Sequence, residues 1–342
     1  MDIDLMTGGK SWTDAASLAT ELQGAGFSGL LWTETSSVPW MQIAAAATAA
    51  PDLFFTTGIA VAFPRSPMVS AAIAWEMADN TNGRFRLGLG SQVKAHIERR
   101  YSSEFSKPAA RMREYLQAVR ACFRAFAGEE RLNYEGEFYN MSLLPRDWAP
   151  RPHEHEMKLD VSAVGPLMTK VAGEVADGIH VHPLHSMHYI ENRLLPGVAS
   201  GAETGGRSPD DVDLIVPVFA CPGDTPEERA EYVARARQQI GFYGSTRNYA
   251  FQFDDLGFEG VSAQLNTALK AGDLAAMSEI ITDEMLEHFA LVASWDDMAD
   301  RLIERYQGTA SRVVMYLGEK QMMSDPDHLA KWGEIATAVK AA

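Results

Sequence analysis

The chain has 342 residues, 46% of them apolar and 22% charged, with a mean hydropathy of −0.16, the composition of a soluble globular protein. Forty-six acidic against thirty basic residues give a net charge of −16, which argues against nucleic acid and anionic membranes as partners, while a small anionic ligand remains compatible. No apolar run approaches the roughly 20 residues of a membrane span; the start lacks a secretory pattern, and Cys122 and Cys221 are too few for a disulfide framework, so a cytoplasmic protein is expected.

Taken in order, Asp2–Met6 reads as a first strand and Ser11 as the cap of a helix that ends at Gly24–Gly26. Phe27–Thr33 is the second strand and Pro39–Ala50 an alanine-rich helix. Leu53–Ala62 is the third strand, with Gly58 out of place in it, and a helix then runs to Asn82–Gly83. Arg84–Leu89 is the fourth strand. Gly90–Lys107 reads as a long polar loop, where Gly88 and Gly90 fail as a dinucleotide fingerprint because the third glycine and the abutting helix are missing. Met112, Tyr115, Leu116, Val119, Phe123 and Phe126 make one helical stripe, and Leu132–Met141 a hairpin.

Lys158–His185 is the most compact unit: a strand to Ala163, a break at Val164-Gly165, a helix opened by Pro166, a stop at Ala176-Asp177-Gly178, and a strand through His182. So short a β-α-β unit needs parallel strands and puts backbone N–H groups at a helix start, a place to hold an anion. Val212–Ala220 is strand seven, Pro226–Gly241 a helix, 242–284 an insertion, Trp295–Tyr306 a helix, Arg312–Leu317 strand eight and Asp325–Lys340 a closing helix. Eight strands separated by helices point to a single-domain (β/α)8 TIM barrel over residues 1–342, with a doubly wound open sheet as the rival.

Four stretches could carry chemistry. Ser91, Gln92 and His96 share the loop after strand four, and Thr56–Val61 surrounds Gly58. His180 and His182 alternate on strand six and could point to one side, as in metal hydrolases, but later strands offer at most Asp213, so no metal is expected. His153-Glu154-His155 reads as solvated. The aromatic run Phe242–Tyr249 suits a lid or a dimer contact; Cys122 reads as core, and Cys221, before Pro222 with no His–Asp set nearby, is not expected to be a nucleophile.

Together GFSGLLWTET, FFTTGIAVAFPRSP, NGRFRLGLGSQVKAHIERRY, RMREYLQAV, VSAVGPLMTKVAGEVADG, IGFYGSTRNYAFQFDDLGF and EMLEHFALVASWDDMADRL resemble the bacterial luciferase-like family, in the branch that uses the deazaflavin coenzyme F420. The resemblance implies a (β/α)8 barrel with an insertion after strand seven and a non-prolyl cis bond at Gly58–Ile59 backing the cofactor ring. It implies cofactor contacts at Glu34, Gly58, Ile59, Ser91, the turn Ser162-Ala163-Val164-Gly165, Gly178, the loop His182-Pro183-Leu184-His185, and His288. The last loop and His288 fall where relatives bind the cofactor phosphate, often with Lys or Arg; histidines there would give pH-dependent help. Deazaflavin-dependent sugar-phosphate dehydrogenases place a His after the strand-two acid and a Glu in the strand-four loop, where this chain has Thr35 and Val93.

The function expected on this resemblance is hydride transfer between deazaflavin C5 and a small organic substrate, with Glu34, His96 and His182 as candidates for proton work and a homodimer by analogy. The alternatives are a flavin mononucleotide (FMN) monooxygenase of the same fold, a metal-dependent hydrolase and a non-catalytic ligand-binding barrel.

Overall fold

The computed structural model describes residues 1–342. Eight parallel barrel strands run in chain order: Asp2–Thr7, Gly29–Trp32, Phe54–Thr57 continued by Ala60–Val61, Phe85–Gly90, Lys158–Ala163, Gly178–Val181, Asp213–Pro222 and Arg312–Met315. Each pairs with the next, and strand eight pairs with strand one (Asp2 opposite Arg312, Leu5 opposite Met315), so the sheet closes. The expected (β/α)8 barrel is present, and the open-sheet rival is excluded by that last pairing.

Alternation sorts the side chains into two sets. Outward residues such as Leu5, Leu30, Phe55, Leu87, Leu159, Ile179, Val216 and Val313 join the helices in the main hydrophobic core. Inward residues fill the barrel in levels. At its N-terminal end Arg86 grips Asp160 through two hydrogen bonds (2.7 and 2.8 Å) and Asp213 through one (2.6 Å). Arg312 holds Asp4 and Asp2 in the same way (2.6–2.7 Å). Gly29 and Gly178 make room for these ions: a Cβ at Gly178 would stand 2.6 Å from Asp160 Oδ1 and one at Gly29 2.9 Å from Asp4 Oδ1. Above them Leu31, Ile215 and Val314 form a small apolar cluster with half-buried Met6.

Several elements depart from the expectation. Strand three is interrupted at Gly58–Ile59, whose peptide bond is cis as the resemblance implied. The polar loop after strand four contains a short helix, Lys94–Arg99; only its Ile97 is buried, so no apolar stripe announced it. Strand eight stops at Met315, and Leu317 just beyond adopts φ 58°. The helix after strand seven runs to Gly244, so the insertion begins slightly later than expected.

The insertion supplies its own core, in which Phe219, Tyr232, Ile240, Phe253, Leu265, Met277 and Phe289 pack together. It ends in an unforeseen ninth parallel strand, Ala290–Ala293, paired with Phe219–Pro222, the upper half of strand seven. The helix Pro166–Val175 crosses Leu195–Gly205 at glycine: a Cβ at Gly201 would lie 2.0 Å from the Lys170 carbonyl and one at Gly173 2.1 Å from that of Val198. His153 is stacked on Trp75 (3.9 Å between ring centres) rather than merely solvated.

Candidate active site

Loops at the C-terminal ends of the strands form the barrel mouth, the usual seat of chemistry in this architecture. After strand two, Glu34 is buried, and its carboxylate accepts hydrogen bonds from Val61 N (2.8 Å) and from Arg65 Nη1 and Nη2 (2.8 and 2.5 Å). Arg65 Nη1 also donates to the Val61 carbonyl (2.7 Å). Burial opposes the Arg65 charge, yet the bond to Glu34 and its charge hold the guanidinium above its usual value. This clamp fastens the segment just past Gly58–Ile59 to the loop of strand two.

At the level of that link, Ile59 and Ser162 converge on Gly90; a Cβ there would lie 2.5 Å from Ile59 Cδ1 and 2.8 Å from Ser162 Oγ. Ser91 follows, half-buried, and Gln92 takes φ 55°, an uncommon conformation for a residue other than glycine. After strand five, Tyr189 OH donates to the Val164 carbonyl (2.8 Å) and fixes the turn. Gly165 caps the helix Pro166–Val175 without a side-chain hydrogen bond, and nothing lies within 4 Å of where its Cβ would be. An open helix start of this kind suits a phosphate oxygen.

After strand six, His182 Nδ1 accepts from Leu184 N (3.0 Å), which leaves Nε2 as the protonated nitrogen of the neutral ring. His185 Nδ1 donates to the His182 carbonyl (2.9 Å), and its Nε2 accepts from Tyr306 OH (3.3 Å). Burial, aided by the neighbouring His185, pushes the His182 imidazole down to about 4; burial does the same for His185, with Arg305 contributing. The pH-dependent help expected of these histidines is therefore displaced from neutral pH, where both act as uncharged hydrogen-bonding groups.

These depressed values carry a stability consequence. An unfolded histidine binds its proton near 6.5, so between about 6.5 and 4 the unfolded chain holds more protons than the folded one, and stability falls as pH falls through that window. The melting temperature of the wild type is expected to drop across that range, and His185→Asn to flatten the drop; an unchanged slope in the variant would remove His185 as its source.

The insertion completes the mouth. Tyr243 and Tyr249 pack their rings on His182 (4.7 and 4.6 Å between centres), and Tyr243 OH lies 2.5 Å from Tyr316 OH just beyond strand eight. Phe242 is half exposed and turned away. The aromatic run thus closes on the mouth through two tyrosines. Tyr316 escaped the sequence reading because one tyrosine after an apolar run carries no local signal.

Three expected contacts do not gather with the rest. Gly178 begins strand six at the opposite end of the barrel and gives space to the Arg86–Asp160 pair. His288 is exposed, edge-on to Phe258, and opens onto a separate cleft of about 860 Å³ shared with Arg229, Arg301 and Arg305. Leu184 turns its side chain into the insertion core, and its N–H is taken by His182 Nδ1. His96 is exposed on the helix Lys94–Arg99, whose following residue Arg100 donates to the Thr35 carbonyl (2.5 Å) and so ties that lip to the strand-two loop.

His180 and His182 do not point to one side. His180 turns inward toward Asp160, His182 lies against the tyrosines, and Asp213 is bound to Arg86. No group of three or more His, Cys, Asp or Glu side chains converges as a metal would require. Cys122 and Cys221 are buried, and burial pushes both thiols up to about 12, so neither is a ready nucleophile.

Comparison with known proteins bears on the fold and the family. An uncharacterized protein of Mycobacterium tuberculosis is 36% identical over 301 residues, 88% of each chain. The 5,10-methylenetetrahydromethanopterin reductase of Archaeoglobus fulgidus is 24% identical over 260 residues, 75% of this chain and 74% of that one. The structure of the coenzyme F420-dependent tetrahydromethanopterin reductase of Methanopyrus kandleri superposes with a TM-score of 0.75 at 17% identity, covering 97% of both chains, which is a likeness of fold. Residues 2–312 match the family described as luciferase-like monooxygenase, and with a match of that extent the chain belongs to the luciferase-like family.

Proposed function

We propose that the protein is a coenzyme F420-dependent oxidoreductase acting on a small organic substrate. The observation that carries this reading is the mouth itself, where Ile59, Gly90 and Ser162 meet at one level beside an uncapped, open helix start at Gly165. The likeness to the coenzyme F420-dependent reductase of Methanopyrus kandleri supports the deazaflavin. Bound there, the cofactor would supply two-electron hydride chemistry.

The chain's own residues do the rest. The turn Ser162–Gly165 with its helix start would hold the phosphate, helped by uncharged His182, and Ser91 and Ile59 would flank the ring; His185, with both nitrogens engaged, would brace the His182 loop. Glu34 acts chiefly as a positioning residue, since both its oxygens are engaged by Arg65 and Val61 N. His182 Nε2–H is the donor nearest the covering tyrosines, and Tyr243 and Tyr249 exclude water above it. His96, exposed at the lip, is left for proton exchange with solvent. No helix is long and apolar enough to cross a membrane.

A second reading, an FMN monooxygenase, is favoured by the description of the matched family. Titration of the apo-protein with each cofactor, followed by fluorescence quenching, separates the two. Coenzyme F420 is expected to bind at least about 10-fold more tightly than FMN, a difference of about 1.4 kcal/mol. The reverse order would select the monooxygenase, and binding of neither would remove both.

A further inference from the structure

Only one side chain at the middle level of the barrel interior can carry a proton. Its inward neighbours there are Met6, Leu31, Ile215, Val314 and Gly88; the ionisable one is His180. His180 is the register partner of Ser162 and turns its Nε2 toward Gly88, where a Cβ would lie 2.4 Å from that nitrogen and 2.0 Å from the Thr57 carbonyl. Gly90, at the level of Ile59 and Ser162, is two residues further along the same strand, about 6.6 Å higher at the usual rise. His180 therefore lies one pleat beneath the surface on which the proposed ring would rest.

The electrostatics of this position are unusual. Nε2 is buried without a hydrogen-bond partner and stands 3.6 Å from Asp160 Oδ2. Asp160 is fully buried, and the two hydrogen bonds donated by Arg86 keep it ionised. The charged groups facing His180 are thus Asp160 from strand five, Arg86 from strand four through Asp160, and Asp213 from strand seven beyond Arg86. A buried imidazole nitrogen without a partner, beside a carboxylate held in place by Arg86, is an orphan polar atom that asks for an explanation.

Hydride carries one proton and two electrons, so its arrival leaves one extra negative charge on an acceptor ring. In a barrel interior of low dielectric that charge needs a counterpart. We propose that His180 is the charge-compensating proton site of the mouth: it binds a solvent proton when the ring above it holds hydride and releases it when the hydride is passed on. This assignment rests on the deazaflavin reading. It makes His180 a positioning group for charge, distinct from the groups that would touch the substrate.

The test is calorimetric and needs no substrate. Oxidised and chemically reduced coenzyme F420 are titrated into the full-length protein at pH 7.5 in two buffers of different ionisation heat, which yields the protons taken up on binding. Binding of the reduced form is expected to take up about one proton more than binding of the oxidised form. In His180→Gln and His180→Asn that difference is expected to vanish while both forms still bind. Equal proton counts for the two forms in the wild type would overturn the assignment, whether or not the variants fold. So would a difference that survives in either variant. Failure of both forms to bind would instead overturn the cofactor reading, and this inference with it.

Discussion

Arg86→Leu is expected to destabilise the protein by roughly 3–5 kcal/mol, a fall in melting temperature on the order of 10 °C. Arg86 and Asp160 are almost wholly enclosed, so deleting the cation leaves a carboxylate with no solvent and only His180 Nε2, 3.6 Å away, beside it. Burial alone would push the Asp160 carboxyl up; the charge and hydrogen bonds of Arg86 override it and hold that carboxyl well below the usual carboxylate range. The sign with pH follows. In the wild type the contribution of Asp160 is present above the unfolded carboxylate value near 3.8 and is lost as pH falls below it. In the variant Asp160 must shed its charge, its folded value rises above the unfolded one, and its penalty is greatest at high pH. The gap in melting temperature between wild type and Arg86→Leu should therefore narrow on going from pH 7 toward pH 5. Arg86→Leu combined with Asp160→Leu should recover part of the loss, because the pair is replaced as a unit. Thermal melts of the four proteins decide it, and a single variant that melts with the wild type would show that the ions are not coupled.

Glu34→Ala is expected to weaken coenzyme F420 binding by roughly 10- to 100-fold, about 1.4–2.8 kcal/mol, with little change in the far-ultraviolet dichroism. Removing the carboxylate strands the Val61 N–H in a buried position and frees Arg65, which is mostly enclosed. Both groups flank the link at residues 58–59, so the surface beneath the ring loses its brace. Arg65→Met should produce a similar loss, and the two changes together little more than either alone, as expected of one hydrogen-bonded unit. Quenching titrations of the four proteins give the cycle. Fully additive losses would separate Glu34 from Arg65, and losses below about twofold would leave the clamp no part in binding.

The barrel was legible because its strands are short apolar runs at regular spacing, and the β-α-β unit 158–185 allows only parallel strands. The interior was not. Arg86, Asp160, Asp213 and Arg312 look like charges scattered on separate strands, and only closure of the sheet brings them to one level. The helix Lys94–Arg99 was hidden by its exposure, and the strand Ala290–Ala293 by its brevity and its place just before Trp295. At the site, Ser91, Ser162–Gly165 and His182, expected from the resemblance as cofactor contacts, stand together at the barrel mouth. The reach of Glu34 to Arg65, and of Tyr243 to Tyr316 across 73 positions, is set by tertiary packing that no local pattern records. Gly178 was misplaced for a related reason: a glycine after a helix signals a turn, but not the end of the barrel on which the turn lies.

Strand seven rises past its neighbours and is met there by Ala290–Ala293, so the excursion between them leaves and rejoins the sheet side by side. A segment with its own apolar interior and adjacent ends behaves as a cassette. It can lengthen, shorten or change its aromatic lining over evolutionary time without reopening the cylinder. Divergence in what such a protein accepts would then accumulate on the half of the opening built by strands six to eight, while the half built by strands two to five stays constant.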